Sequence, residues 1–147
     1  MKVNHLIKVD PEFEYLLDKY IWHVGKDPYP RSWFYIGDNR FPIWLHKMII
    51  PCERELVLDH INNNPLDNRS SNLRTVTRQQ NNWNQTLSKN NTSGFKGVSR
   101  SKLRFKAELT YNQERVYLGL FKTPEEAHLV YCFASQFYFG EYANPGY

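Results

Sequence analysis

The segment Leu58–Gln85, LDHINNNPLDNRSSNLRTVTRQQNNWNQ, constrains the fold more than any other part of this 147-residue chain. Val57-Leu58 is a short apolar run that reads as a strand, and Asp59-His60 close it. Residues 61–71 are rich in Asn, Asp, Ser and Pro, whose side chains bond back to their own backbone and turn it, so a loop is expected. Leu73-Arg74-Thr75-Val76 alternates apolar with polar and reads as a second strand. Thr77-Arg78-Gln79-Gln80 fits a capping box, which starts a helix at Arg78. Strand, loop, strand and helix in that order can bring one carboxylate, one imidazole and one amide around a divalent cation. Cleavage of a phosphodiester asks for about that equipment: hard oxygen ligands, and a neutral imidazole to take a proton from water.

Taken singly, each residue has a plainer use. Asp beside His is a common pair, Asn72 can close an Asx turn, and Asn81 can be a solvated helix residue. Together, Leu45-His46-Lys47, Val57-Leu58-Asp59-His60-Ile61-Asn62, Asp67-Asn68-Arg69, Asn72-Leu73-Arg74 and Thr77-Arg78-Gln79-Gln80-Asn81-Asn82 resemble the HNH endonuclease family, in the branch common among phage and intron-encoded homing enzymes. The resemblance implies a ββα-metal fold around one ion. It makes Asp59 and Asn81 the metal ligands and His60 the general base, with Asn72 bracing the loop that presents His60. His46 falls in the upstream element and joins the candidate catalytic set. A carboxylate and an amide suit Mg²⁺ or Mn²⁺ better than zinc. His60 must be neutral to act, so activity is expected to fall below about pH 6.5 unless the site shifts the imidazole.

The remainder is read around that motif. In the first fifty residues, Asp10 is placed to cap a helix whose Phe13, Leu16 and Leu17 share a face. Tyr20–Val24, Trp33–Ile36 and Ile43–His46 read as aromatic strands of a small hairpin sheet, their rings core rather than ligand platforms. From Ser93 onward, Phe95–Val98, Phe105–Leu109 and Val116–Leu120 alternate as strands, the last two separated by a turn-like Tyr-Asn-Gln-Glu stretch. Thr123-Pro124-Glu125-Glu126 marks a helix start by its cap, its proline and its acids. Ala127, Val130, Tyr131, Ala134 and Tyr138 supply the apolar stripe, and Gly140 stops it. The expected class is α+β: an N-terminal β-hairpin sheet plus a ββα-metal module, then a three-stranded antiparallel sheet packed on one C-terminal helix. Residues 1–85 form the first domain, with its metal core at about 56–85, 86–92 a polar linker, and 93–147 the second domain.

Charge separates the two parts. Residues 1–85 carry 11 basic and 10 acidic side chains, whereas 86–147 carry 8 and 5, with the excess gathered between Gly94 and Tyr117. Basic residues at alternate strand positions share a face, and a sheet of that width fits the DNA major groove. The plain alternative is an ordinary solvated face. Lys96-Gly97-Val98, Ala107-Glu108-Leu109, Arg115-Val116-Tyr117-Leu118-Gly119 and Phe121–Ala127 resemble the plant ethylene-response-factor (APETALA2-type) DNA-binding domain, which lays its sheet in that groove. Lys96, Ser99, Arg100, Lys102, Arg104, Lys106, Thr110, Arg115 and Tyr117 are the candidate contacts. Ser99, Leu103-Arg104 and Tyr117 depart from the plant pattern, so base preference does not transfer.

Cys52 and Cys132 lack paired spacing, which argues against a zinc knuckle and for a reducing cytoplasm; the resemblance to phage-type enzymes implies that of a bacterial or phage-infected cell. No apolar run approaches about 18 residues, so membrane insertion is not expected. The expectation is a phage-type homing endonuclease acting on double-stranded DNA as a monomer or homodimer. A DNA-binding protein with a silent HNH scaffold, or a nuclease for structured nucleic acid or RNA, are the alternatives.

Overall fold

The computed structural model describes residues 4–146. Its chain divides into two compact units, 1–78 and 79–147. The sequence reading closed the first domain after Gln85. The difference is one helix, α3 (Arg78–Asn84), most of which packs with the C-terminal residues.

In the first unit a 3₁₀ turn, Pro11–Phe13, leads into α1 (Tyr15–Lys19). Asp10 precedes that turn without capping it; its Oδ2 accepts instead from the backbone N–H of Ser70 at 2.7 Å. The hairpin β1 (Arg31–Ile36) and β2 (Asn39–Trp44) follows, antiparallel. Of the expected strand Tyr20–Val24, only an isolated bridge from His23 to Arg31 forms. Leu45-His46, read as the end of a strand, opens α2 (Leu45–Ile49). Tertiary burial overrides the strand preference of that aromatic run: Leu45 and Ile49 point into a core with Ile7, Leu16, Trp22 and Leu73. Then β3 (Val57–His60) pairs antiparallel with β4 (Leu73–Val76), so that Asp59 lies opposite Arg74 and His60 opposite Leu73. Because Leu73 is anchored in the same core as α2, the register places the end of β3 beside that helix. The loop between β3 and β4 is clamped from outside: Lys8 N–H donates to the Leu66 carbonyl (2.8 Å), and Asn68 N–H donates to the Lys8 carbonyl (2.7 Å).

The second unit holds α3 and a three-stranded antiparallel sheet, β5 (Val98–Ser101), β6 (Arg104–Tyr111) and β7 (Glu114–Phe121), in that order. The β6–β7 turn puts Asn112 and Gln113 at positive φ, the geometry that matches the twist of paired strands. A bulge opposite Ala107 and Glu108 shifts the register: Tyr117 faces Glu108 and Leu120 faces Lys106. α4 (Pro124–Phe139) covers the other face; it starts on a full capping box between Thr123 and Glu126, with Pro124 first in line. Ala127, Tyr131 and Phe139 are buried and Val130, Ala134 and Tyr138 half-buried, while Leu129, Phe133 and Phe137 are exposed. Gly97 has φ +73, and a Cβ there would lie 1.9 Å from the ring of Tyr131, so that strand entry admits glycine alone.

Candidate active site

Asp59 and His60 are the last two residues of β3, and the strand ends inside the protein: they are 5% and 4% exposed. Each is gripped by a second side chain. Arg74, across the ladder from Asp59, donates from Nε to Oδ2 at 2.9 Å, an ion pair itself largely buried. The Nε2 of His60 lies 3.3 Å from Oδ1 of Asn68. Asn68 is fully buried, and its Nδ2 donates to the Pro65 carbonyl at 3.0 Å, which orients its oxygen toward the ring. With that oxygen accepting, Nε2 carries the hydrogen and Nδ1 the lone pair.

The loop that delivers Asn68 is built from amides bonding to amides. Asn72 Oδ1 accepts from the backbone N–H of Asn62 (3.0 Å), while its Nδ2 donates to Asn62 Oδ1 (2.9 Å) and to the Asp67 carbonyl (2.7 Å). Ile61 N–H donates to the Asn72 carbonyl at 2.9 Å, which ties the residue after His60 to the same hub. Arg69 chelates Asp67 with Nε and Nη2 at 2.7 and 2.6 Å, holding its carboxyl at about 2, well below the usual range.

His46, on α2, is buried with its ring centre 5.6 Å from that of His60, edge-on. Tyr29 lies 5.2 Å from His46 and 5.6 Å from His60. Burial pushes His46 down to about 4, helped by the neighbouring imidazole. It lowers His60 too, against the pull of the Asn68 bond and of Asp59. Both rings are therefore neutral at physiological pH. Nδ1 of His46 has no hydrogen-bond partner among the described residues.

Residues 50–83 match the HNH endonuclease family. Over 132 residues the chain is 33% identical to an HNH endonuclease of Acanthamoeba polyphaga mimivirus, covering 88% of this chain and 68% of that protein. The chain belongs to the HNH endonuclease family. This HNH nuclease is also 44% identical over 54 residues to Protein 3.8 of Escherichia phage T7, across 37% of its own length and 45% of the phage protein. A solved structure of the HNH homing endonuclease I-HmuI, concerned with DNA binding and cleavage, aligns with 34% identity and a TM-score of 0.41, over 45% of this chain and 41% of that one.

Asn81, the other expected metal ligand, lies on α3, half-buried, in the second unit. In kind, the two expected donors would suit Mg²⁺ or Mn²⁺. A carboxylate and an amide oxygen are hard ligands, and Mg²⁺ keeps several waters and asks for few protein groups. Among the described residues no group of three or more His, Cys, Asp or Glu is placed to hold an ion.

On the second unit the strand register sorts the nine expected contacts. Ser99, Arg104, Lys106, Thr110, Arg115 and Tyr117 share the face turned away from α4, with Lys106 paired to Glu108 at 2.8 Å. Arg100 lies opposite Phe105, a core residue, so it belongs to the other face, and Lys102 sits in the turn with φ +54. Lys96 is turned inward. Its Nζ donates to the carbonyls of Trp83 (2.8 Å), Gln85 (2.6 Å) and Asn144 (2.9 Å), and burial lowers it to about 8. At neutral pH it keeps its proton, and its three N–H donors match three acceptors.

Arg74, Asn68 and Tyr29 were assigned no site role from sequence. Register exposes the first: residues facing across a two-stranded ladder are neighbours, so Arg74 follows once β3 and β4 are aligned. The other two depend on tertiary packing.

Proposed function

We propose that this nuclease is a divalent-metal-dependent DNA endonuclease whose general base is His60. The observation that supports it most is the buried Asp59-His60 pair, each member fixed by its own partner at the end of one short strand. Asp59 and, as the family resemblance implies, Asn81 would supply oxygen ligands to the cation, and the bound ion would offset charge building on the scissile phosphate. His60 would take the proton of the attacking water on Nδ1, the atom left basic when Nε2–H is given to Asn68; that atom is out of solvent in this structure, so the water must be brought to it with the substrate. Asn68 thereby sets the tautomer, and Asn72 holds the loop that carries Asn68. Arg74 fixes one oxygen of Asp59, which keeps the carboxylate aimed. His46 stands edge-on to His60 as a neutral neighbour.

Duplex DNA is held by the open sheet face. Arg104, Lys106 and Arg115 project from it with Tyr117 and Thr110, in the manner implied by the APETALA2-type resemblance, and phosphate contacts there set the register of the cut. One site cuts one strand, so nicked circles should form before linear DNA. A homing role would show as cleavage of the uninterrupted form of the sequence flanking its own gene.

The test is supercoiled plasmid with Mg²⁺, with chelator, and with neither. Nicking is expected with the ion alone. His60→Ala and Asp59→Ala should each abolish it while a gel shift shows duplex binding retained, and the acid limb of the rate should lie below pH 6.5, because burial lowers the imidazole. Cutting in chelator, or by both variants, would overturn the reading. Preference for RNA or single strands in competition would move the substrate class.

A further inference from the structure

The helix that carries Asn81 is stapled to the C-terminal sheet unit, and the staple is made of groups with no other evident task. Trp83 stacks on Phe139 with centroids 4.6 Å apart and on Tyr111 at 5.6 Å, both rings near parallel. Gln79 donates from Nε2 to Oδ1 of Asn112 at 3.2 Å, at the β6–β7 turn. At the other end, Lys96 Nζ binds the carbonyls of Trp83 and Gln85, and Asn144 Nδ2 donates to the Asn84 carbonyl at 2.9 Å. The last carbonyls of a helix have no partner within it, and a cation at that end also favours the helix dipole. Lys96 is itself tied back to the chain end through Asn144 O, and the Cβ that Gly146 lacks would lie 2.8 Å from Lys96 Cβ. A groove of about 670 Å³ runs between α3 and the sheet, lined by Gln79 and Asn82 on one side and Ser99, Thr110 and Arg115 on the other.

We propose that Lys96 is a positioning residue for the nuclease: by capping α3 it fixes the helix on the DNA-binding unit and so sets where Asn81 presents its amide. The inference rests on the reading of Asn81 as a metal ligand. It replaces the phosphate contact expected for Lys96 with an internal one, and it makes the sheet unit part of the catalytic scaffold as well as a handle for DNA. A ligand displaced by a fraction of an ångström weakens its ion without changing how the sheet grips a duplex.

The test compares Lys96→Met with the wild-type full-length protein. Methionine keeps the apolar stem and removes all three donors. At saturating duplex, kcat should fall at least about tenfold, as small misplacements at a reacting centre do. The Mg²⁺ concentration at half-maximal rate should rise severalfold. KM for duplex and the salt dependence of binding should stay at wild-type values, and hydrogen exchange of the α3 amides should accelerate. Unchanged kcat with weaker binding, and a log–log salt slope reduced by about 0.9, would make Lys96 a phosphate ligand and overturn the proposal. Should Lys96→Met fail to fold, Asn144→Ala decides: it removes the amide's bonds to Asn84 and its acceptance from the Gly146 N–H, leaves the Asn144 carbonyl for Lys96, and should show the same pattern in smaller measure; wild-type kcat, Mg²⁺ midpoint and exchange there would also overturn it. Asn81→Ala run alongside separates the two ideas. If it leaves the Mg²⁺ midpoint unmoved, the ligand reading fails by itself; if it shifts the midpoint and Lys96→Met does not, the positioning role fails.

Discussion

At the scale of single residues, Asp59 is held by one guanidinium. Arg74 reaches it with Nε across the β3–β4 ladder, and both side chains are largely out of solvent. Replacing the arginine by leucine leaves a buried carboxylate without its ion pair, a change that costs about 3 kcal/mol in such settings. Arg74→Leu should therefore lower the urea midpoint markedly. Millimolar Mg²⁺ should restore more stability to the variant than it adds to the wild type, because the cation replaces the missing positive charge. Equal gains in both proteins would place the ion away from Asp59. The pairing was readable once the strands were aligned, since a four-residue ladder has few registers that keep Leu73 and Val76 inside.

At the scale of elements, the capping logic of α4 was legible in Thr123-Pro124-Glu125-Glu126 because every contributing group is local in sequence. Leu45-His46 was not. An aromatic, β-branched approach argues for strand, and only the distant partners Leu16, Trp22 and Leu73 turn it into a helix. The inward turn of Lys96 was hidden for a related reason: a lysine near a basic sheet reads as a surface charge, and its three carbonyl acceptors lie up to 48 residues away. The glycine after it sharpens the point. Gly97→Ala puts a methyl into the ring of Tyr131 at a backbone angle that L-residues avoid, which should cost the second unit about 2–4 kcal/mol from overpacking and strain together. A thermal melt that loses the sheet unit early is the expected result, and an unchanged melt would mean that Tyr131 swings away freely.

For the whole molecule, acid is the condition that separates function from folding. His46 is about 4 in the folded chain against 6.5 when exposed, so above 6.5 both states leave it neutral and it has no effect. As pH falls below 6.5 the unfolded chain takes up the proton first, and stability drains until about pH 4, by up to about 3 kcal/mol. His60 shifts in the same direction and adds to the loss. Urea unfolding at pH 7 and pH 4.5 should show that loss in the unit bearing His46, and His46→Gln should flatten most of it. A flat profile in the wild type would mean that the two rings take up protons without penalty. No helix among the described residues is long and apolar enough to cross a membrane.

Trp83 is the one tryptophan after residue 78, and it lies near parallel to both Tyr111 and Phe139, whose own ring centres are 6.5 Å apart. Its emission is thus wired to the grip on α3. A protein whose Trp22, Trp33 and Trp44 are replaced by phenylalanine would carry a single tryptophan, at that joint, so loading of the ion or seating of the duplex could be watched by colour and anisotropy, without waiting for a strand to be cut.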